Sequence, residues 1–187
     1  MWKKFAISFV VAGSLLGTAP GVHCASIVFA AEPAARFSIE DAEEYEGHMY
    51  AVVDAGGTWH EAVEACKAAG GHLVYVKTEG VQRFLEDLLM MHGTKNSYWL
   101  GGEQASPLHG DKWKWLDGTP IEGYSKWAHG QPDNLRETKL MMYRNVNMAS
   151  KDTKLGEWND LGFDGKFKDE EFFGAHNFGF ICEWDHT

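Results

Sequence analysis

The chain carries no His-Glu-x-x-His zinc pattern, no glycine-rich phosphate loop and no Asn-x-Ser/Thr glycosylation acceptor. The first two absences remove the commonest short signatures of metalloproteases and nucleotide-binding enzymes. Internal repeats and low-complexity tracts are missing as well. Basic residues are in deficit, 17 Lys and Arg against 27 Asp and Glu, for a formal charge of -10. That balance disfavours nucleic acid and anionic membranes as partners. The nine histidines are dispersed and no Ser-His-Asp arrangement can be argued. Asp164 to Glu171 reads as a mixed acidic and basic loop rather than a paired-carboxylate centre. The chain is therefore not read as an enzyme.

Long apolar runs are also scarce. The one present, Phe5 to Leu16, follows Lys3 and Lys4 and is too short for a comfortable membrane span. With the small-x-small sequence Val28-Phe29-Ala30 after it, residues 1–30 are read as a signal peptide. An uncleaved anchor and lipid attachment at Cys24 are the competing readings; His23 before Cys24 argues against the second. No membrane insertion of the mature chain is expected. Of three cysteines, cleavage would leave Cys66 and Cys182. In an exported protein such a pair reads as one disulfide rather than a redox motif. Closing so long a loop is worth roughly 4–5 kcal/mol in the chain-entropy model.

What is present is aromatic and patterned. Eight tryptophans suggest a rigid aromatic core, a carbohydrate-facing surface, or both. Residues 31–44 read as an acidic linker, and Tyr45 to Val53 as a strand. Thr58 and Glu61 have capping-box spacing ahead of a helix from Trp59 to Ala69, with Trp59, Ala62, Val63, Cys66 and Ala69 on one face. His72 to Val76 is a short strand. Residues 79–91 form a second helix, with Val81, Phe84, Leu85, Leu88 and Leu89 on its apolar face. Further strands are expected at Ser97–Gly102, Lys112–Trp115, Leu140–Tyr143 and Gly179–Trp184, with Asn145 to Gly156 as loop. Helices near the start and short strands elsewhere point to an α+β fold with antiparallel sheet.

Gln131-Pro132-Asp133-Asn134 and Trp158-Asn159-Asp160 place oxygen donors at two separated points, of the type calcium requires. Pro-Asp-Asn alone is also an ordinary turn. The order of motifs goes further. Trp59-x-x-Ala62-x-x-x-Cys66-x-x-x-Gly70-Gly71-His72-Leu73-Val74, Tyr98-Trp99-Leu100-Gly101-Gly102, Trp113-x-Trp115-x-Asp117-Gly118, Trp127-x-x-Gly130-x-Pro132-Asp133-Asn134, Trp158-Asn159-Asp160 and Phe180-Ile181-Cys182-Glu183 together resemble the C-type lectin-like domain, covering about residues 45–185. The domain is accordingly set at 45–187.

That resemblance implies two helices flanking an antiparallel sheet, paired termini and a long loop carrying calcium and ligand. It maps a disulfide onto Cys66 and Cys182. A second bridge has no counterpart, because its positions fall near Leu140 and Phe163. It implies a Ca2+ site and a coincident carbohydrate site built from Gln131, Asp133, Glu137, Asn159 and Asp160, with a cis bond before Pro132. Glu137 departs from the family pattern, standing closer to Asp133 than usual. Gln-Pro-Asp is associated in the family with galactose-like sugars. Trp127 and Trp158 are weighed as sugar platforms or core, and His129 and Tyr124 as unplaced candidates. A second calcium site around Glu103, Asp111 and Asn134 does not fit cleanly. The resulting expectation is a calcium-dependent, galactose-type lectin module binding a glycan. The rival is an extracellular protein-binding or structural domain that binds no sugar. The plain layout, without a second bridge or an acceptor for glycosylation, resembles bacterial members, so the expected location is secreted or periplasmic.

Overall fold

The computed structural model describes residues 37–105, 110–133, 137–144, 152–162 and 175–185. The leader and Cys24, residues 31–36 of the linker, Asn134, residues 145–151, Phe163 and the 164–171 loop lie outside the described residues.

Among the described residues, eight strands and two helices follow in the order β1 (Glu43–Tyr45), β2 (His48–Val53), α1 (Trp59–Ala68), β3 (His72–Leu73), α2 (Glu79–His92), β4 (Ser97–Glu103), β5 (Lys114–Trp115), β6 (Glu137–Tyr143), β7 (Trp158–Gly162) and β8 (Phe178–Trp184). A single 3₁₀ turn, Ile39–Asp41, precedes β1, and another, Ala175–Asn177, leads into β8. Secondary structure is thus present ahead of Tyr45, where β1 folds back on β2 through a tight turn at Glu46-Gly47, both at positive φ. The sheet path is β1-β2-β8-β4-β6-β7, with β3 added to β8 and β5 to β4. All pairings are antiparallel except β4 with β8, so the sheet is mixed rather than purely antiparallel. The first and last long strands are neighbours, Met49 opposite Trp184 and Val53 opposite Phe180.

Local chemistry sets the helix boundaries. The Thr58 backbone N–H donates to Glu61 Oε2 at 2.7 Å and Glu61 N–H donates to Thr58 Oγ1 at 3.3 Å, the expected reciprocal cap. Thr78 Oγ1 caps α2 by accepting from Val81 N–H. Helix α1 buries Trp59, Ala62, Val63 and Cys66. Helix α2 buries Val81, Leu85, Leu88 and Leu89 as its period demands, and also Gln82. Two apolar clusters result. One gathers α2 with Trp113, Trp115, Leu140 and Trp158; the other gathers α1 with Trp99, Met141, Phe178 and Trp184.

Strand β7 was not among the strands expected, several element ends shift by a residue, and three further strands differ by two residues or more. The strand expected over His72–Val76 contracts to His72–Leu73, although Val74 N–H still donates to Ile181 O. Lys112 and Trp113 stay outside β5. Strand β6 starts at Glu137, upstream of Leu140, because it pairs with β7 from Glu137 opposite Gly162 onward. The disulfide expected from Cys66 to Cys182 is not formed here. Both are free, fully buried thiols, one on α1 and one on β8. A contact with Cys182, followed by burial, pushes the Cys66 thiol well above its ordinary value.

Candidate calcium and ligand site

Strand β7 is the foundation of the site. Its first residue, Trp158, is fully buried, and its indole N–H donates to Gln82 Oε1 at 2.9 Å. Gln82 in turn donates through Nε2 to Gly156 O, fixing the approach to β7. On the other side, Trp158 N–H donates to Lys126 O at 2.7 Å and Ala128 N–H to Trp158 O at 2.9 Å. The 126–128 segment is thereby zipped to β7, which sets where Gln131, Pro132 and Asp133 emerge. Gln131 N–H closes the turn onto Ala128 O, Gly130 lies at φ +83°, and the Gln131–Pro132 bond is cis, as the resemblance implied. Only glycine takes that φ without strain.

These constraints bring Asp133, Glu137 and Asp160 together. One carboxylate oxygen from each lies within 4.8 Å of the other two. Two oxygens bound to one calcium at about 2.4 Å can stand no more than about 4.8 Å apart, so the three fit a shared ion. Asp160 is fully buried, Glu137 half-buried and Asp133 exposed, which grades the site from floor to rim. Asp133 N–H donates to Gln131 Oε1 at 2.9 Å and to Asp160 Oδ1 at 3.2 Å, tying rim to floor. Gln131 thus uses one lone pair on its neighbour's amide and keeps the other. Asn159 is buried and its Oδ1 makes no hydrogen bond. A buried amide oxygen without a donor is costly, and a cation would satisfy it. Burial first, then the negative charges of Asp160 and Asp133, push the Glu137 carboxyl up to about 7. The same three acids, after burial, raise Tyr143 to about 12. Both shifts have the sign of a pocket of concentrated negative potential.

The model of the Lectin C-type domain matches residues 56–164, more than half of the chain. The chain belongs to the C-type lectin domain family. Its membership rests on a family of carbohydrate-recognition domains and not of enzymes. A perlucin-like protein of Mytilus galloprovincialis is 28% identical over 123 residues, 64% of this chain and 71% of the relative. Human CD209 antigen is 31% identical over 96 residues, half of this chain. The match spans only 22% of that relative's length. Both relatives are animal proteins. The solved structure of SPL-1 with GlcNAc superposes with a TM-score of 0.62 at 20% identity, covering 79% of this chain and 95% of that one, which establishes the fold.

In this C-type lectin domain the aromatic candidates separate cleanly. Trp158 is core, enclosed by Trp115, Tyr124 and Trp127 with ring centroids 5.8 to 6.1 Å away. Trp127 is partly exposed and packs edge-on to Trp113 at 5.2 Å. His129 is exposed and Tyr124 half-buried. Of the second calcium group, Glu103 is paired with Lys139 at 2.7 Å, and Asp111 is exposed. Gln82 was not foreseen as a determinant of the site. Its only signal in the sequence is a polar side chain beside Val81, at the edge of an otherwise apolar helical face.

No described helix is long and apolar enough to cross a membrane.

Proposed function

We propose that the chain is a calcium-dependent carbohydrate-binding module of the galactose type. The observation that carries this reading is the convergence of Asp133, Glu137 and Asp160. Asp160 is the buried anchor, Asp133 and Glu137 complete the carboxylate set, and Gln131 and Asn159 add amide oxygens. A bound calcium would present open coordination positions to two vicinal sugar hydroxyls. The carboxylates accept protons from those hydroxyls, and the amide N–H groups donate to their lone pairs. Gln131-Pro132-Asp133 supports galactose over mannose. The GlcNAc bound to the structural neighbour SPL-1 makes that sugar the natural third ligand to compare. We read the chain as secreted, with glycans outside the cell as its partners. Buried thiols at Cys66 and Cys182, already in contact, suit a bridge closed on export.

Titration calorimetry of calcium into chelator-treated protein, followed by galactose, mannose and N-acetylglucosamine, tests the reading. Calcium heat followed by a galactose response that chelator abolishes is the expected result. No calcium heat removes the metal from the account. Calcium without any sugar response transfers the site to the rival reading, a module that recognises protein.

A further inference from the structure

Two of the nine histidines meet in the fold, far from the residues just described in sequence. Strand β8 is flanked near its end by β2 on one side and β3 on the other. Tyr50 and His72 both stand opposite Glu183. Successive strand side chains alternate between faces, so His48 and Tyr50 on β2, Glu183 and Asp185 at the end of β8, and His72 on β3 share one face. They line a cleft of about 320 Å³.

The distances within this group are specific. His48 Nδ1 lies 3.1 Å from Glu183 Oε1 and 3.4 Å from Asp185 Oδ1. His72 Nε2 lies 3.4 Å from the same Asp185 oxygen. Four ligands around a tetrahedral zinc at about 2.0–2.1 Å are separated by about 3.3 Å along each edge. Two such edges meet at His48 Nδ1, and His48, Glu183 and Asp185 each offer a ligand atom within 4.8 Å of the other two. His48 Nδ1 is buried and makes no hydrogen bond, although two carboxylate oxygens face it. His72 Nδ1 lies 2.9 Å from Leu73 O. With the proton on that nitrogen, Nε2 turns a lone pair toward Asp185. That fixes the His72 ring beside Asp185, at the edge of the group. Glu183 is held in the same manner, accepting from Tyr50 Oη–H at 3.2 Å and from Tyr75 N–H at 2.8 Å. His72 also stacks on Tyr75, centroids 4.2 Å apart. The nearby Lys77 is neutralised by Asp117 at 2.7 Å. The two carboxylates bring negative charge to the group, which a divalent cation offsets. Asp185 is largely exposed, so an ion can reach the group from solvent.

We propose that His48, Glu183 and Asp185 hold a zinc ion, with His72 beside Asp185 at the edge of the site, and that the ion clips the closing strand β8 to β2. Imidazole with carboxylate is a donor set for zinc, whereas the all-oxygen group at Asp133, Glu137 and Asp160 is one for calcium. The two sites are separable.

The test is calorimetric titration of zinc chloride into the full chain, chelator-treated and then saturated with calcium. One zinc per chain is expected, together with a rise in melting temperature. His48→Ala and Asp185→Asn alter partly or largely exposed groups, and circular dichroism checks that each variant folds. Each is expected to weaken zinc at least about tenfold, while Asp160→Asn leaves zinc affinity unchanged. Cobalt(II) in place of zinc is expected to give the visible absorption of a tetrahedral ion in the parent and not in His48→Ala. Absence of zinc heat overturns the proposal. So does zinc affinity that survives both His48→Ala and Asp185→Asn.

Discussion

Glu137 is the residue where charge and fold meet most directly. Burial and two carboxylate neighbours raise it to about 7 from an ordinary 4.5. Between those values the native state holds a proton that the unfolded chain has released. Stability of the calcium-free protein therefore declines as pH rises through this window. Calcium bound there would compete with the proton for the same oxygens, so its stabilising effect is expected to grow as the proton leaves. Melting curves with and without calcium, taken from about pH 5 to about pH 8, are expected to diverge toward the alkaline end. In Glu137→Gln the calcium-free curve flattens across the window. Asp160→Asn removes a buried charge from the floor of the site and is expected to cost calcium affinity about tenfold or more. An unchanged dissociation constant would take Asp160 out of the ligand set.

At the level of elements, the two helices contribute differently to the site. Helix α1 is capped by Thr58 and Glu61 but buries its apolar face against the other cluster. Thr58→Ala is expected to cost about 1 kcal/mol, a melting shift of roughly 2–4 °C, without touching calcium affinity. Helix α2 reaches the site through Gln82. Gln82→Ala strands the Trp158 indole N–H and the Gly156 carbonyl, at about 1–3 kcal/mol for a buried group left without its partner. Because Trp158 adjoins Asn159 and Asp160, that variant is expected to lose calcium affinity as well as stability. Measuring both quantities in both variants separates a general loss of fold from a loosened β7. Strand β6 adds a further lesson. Its start at Glu137 depends on pairing with β7 across the intervening 145–151 stretch, a contact between distant residues that no local pattern announces.

For the molecule as a whole, most of the architecture was legible in its order of motifs. Helix caps and apolar periodicities are local, and Thr58, Trp59 and the α2 face stand where spacing placed them. Asp133 and Asp160 stand in the Pro-Asp turn and the Trp-Asn-Asp motif that carry the resemblance, Glu137 departs from its spacing, and the fold brings the three together. The parallel contact of β4 with β8 was not, since strand order is decided by packing rather than by local sequence. Nor was the meeting of His48, His72, Glu183 and Asp185, which requires three strands to be in register. The long-range pairing of Cys66 with Cys182 has a simple check: thiol titration under native and denaturing conditions after oxidative refolding. Neither thiol is expected to react if the bridge closes, and both become available once a reductant is added. The tryptophans offer a consequence of another kind. Trp113, Trp127, Trp158 and Trp115 form a continuous row with centroids 5.2 to 5.9 Å apart, and its innermost ring adjoins Asn159. Rings that close share excitation before they emit, so tryptophan emission is expected to change when an ion or ligand shifts Asn159 and its neighbours, with no added dye.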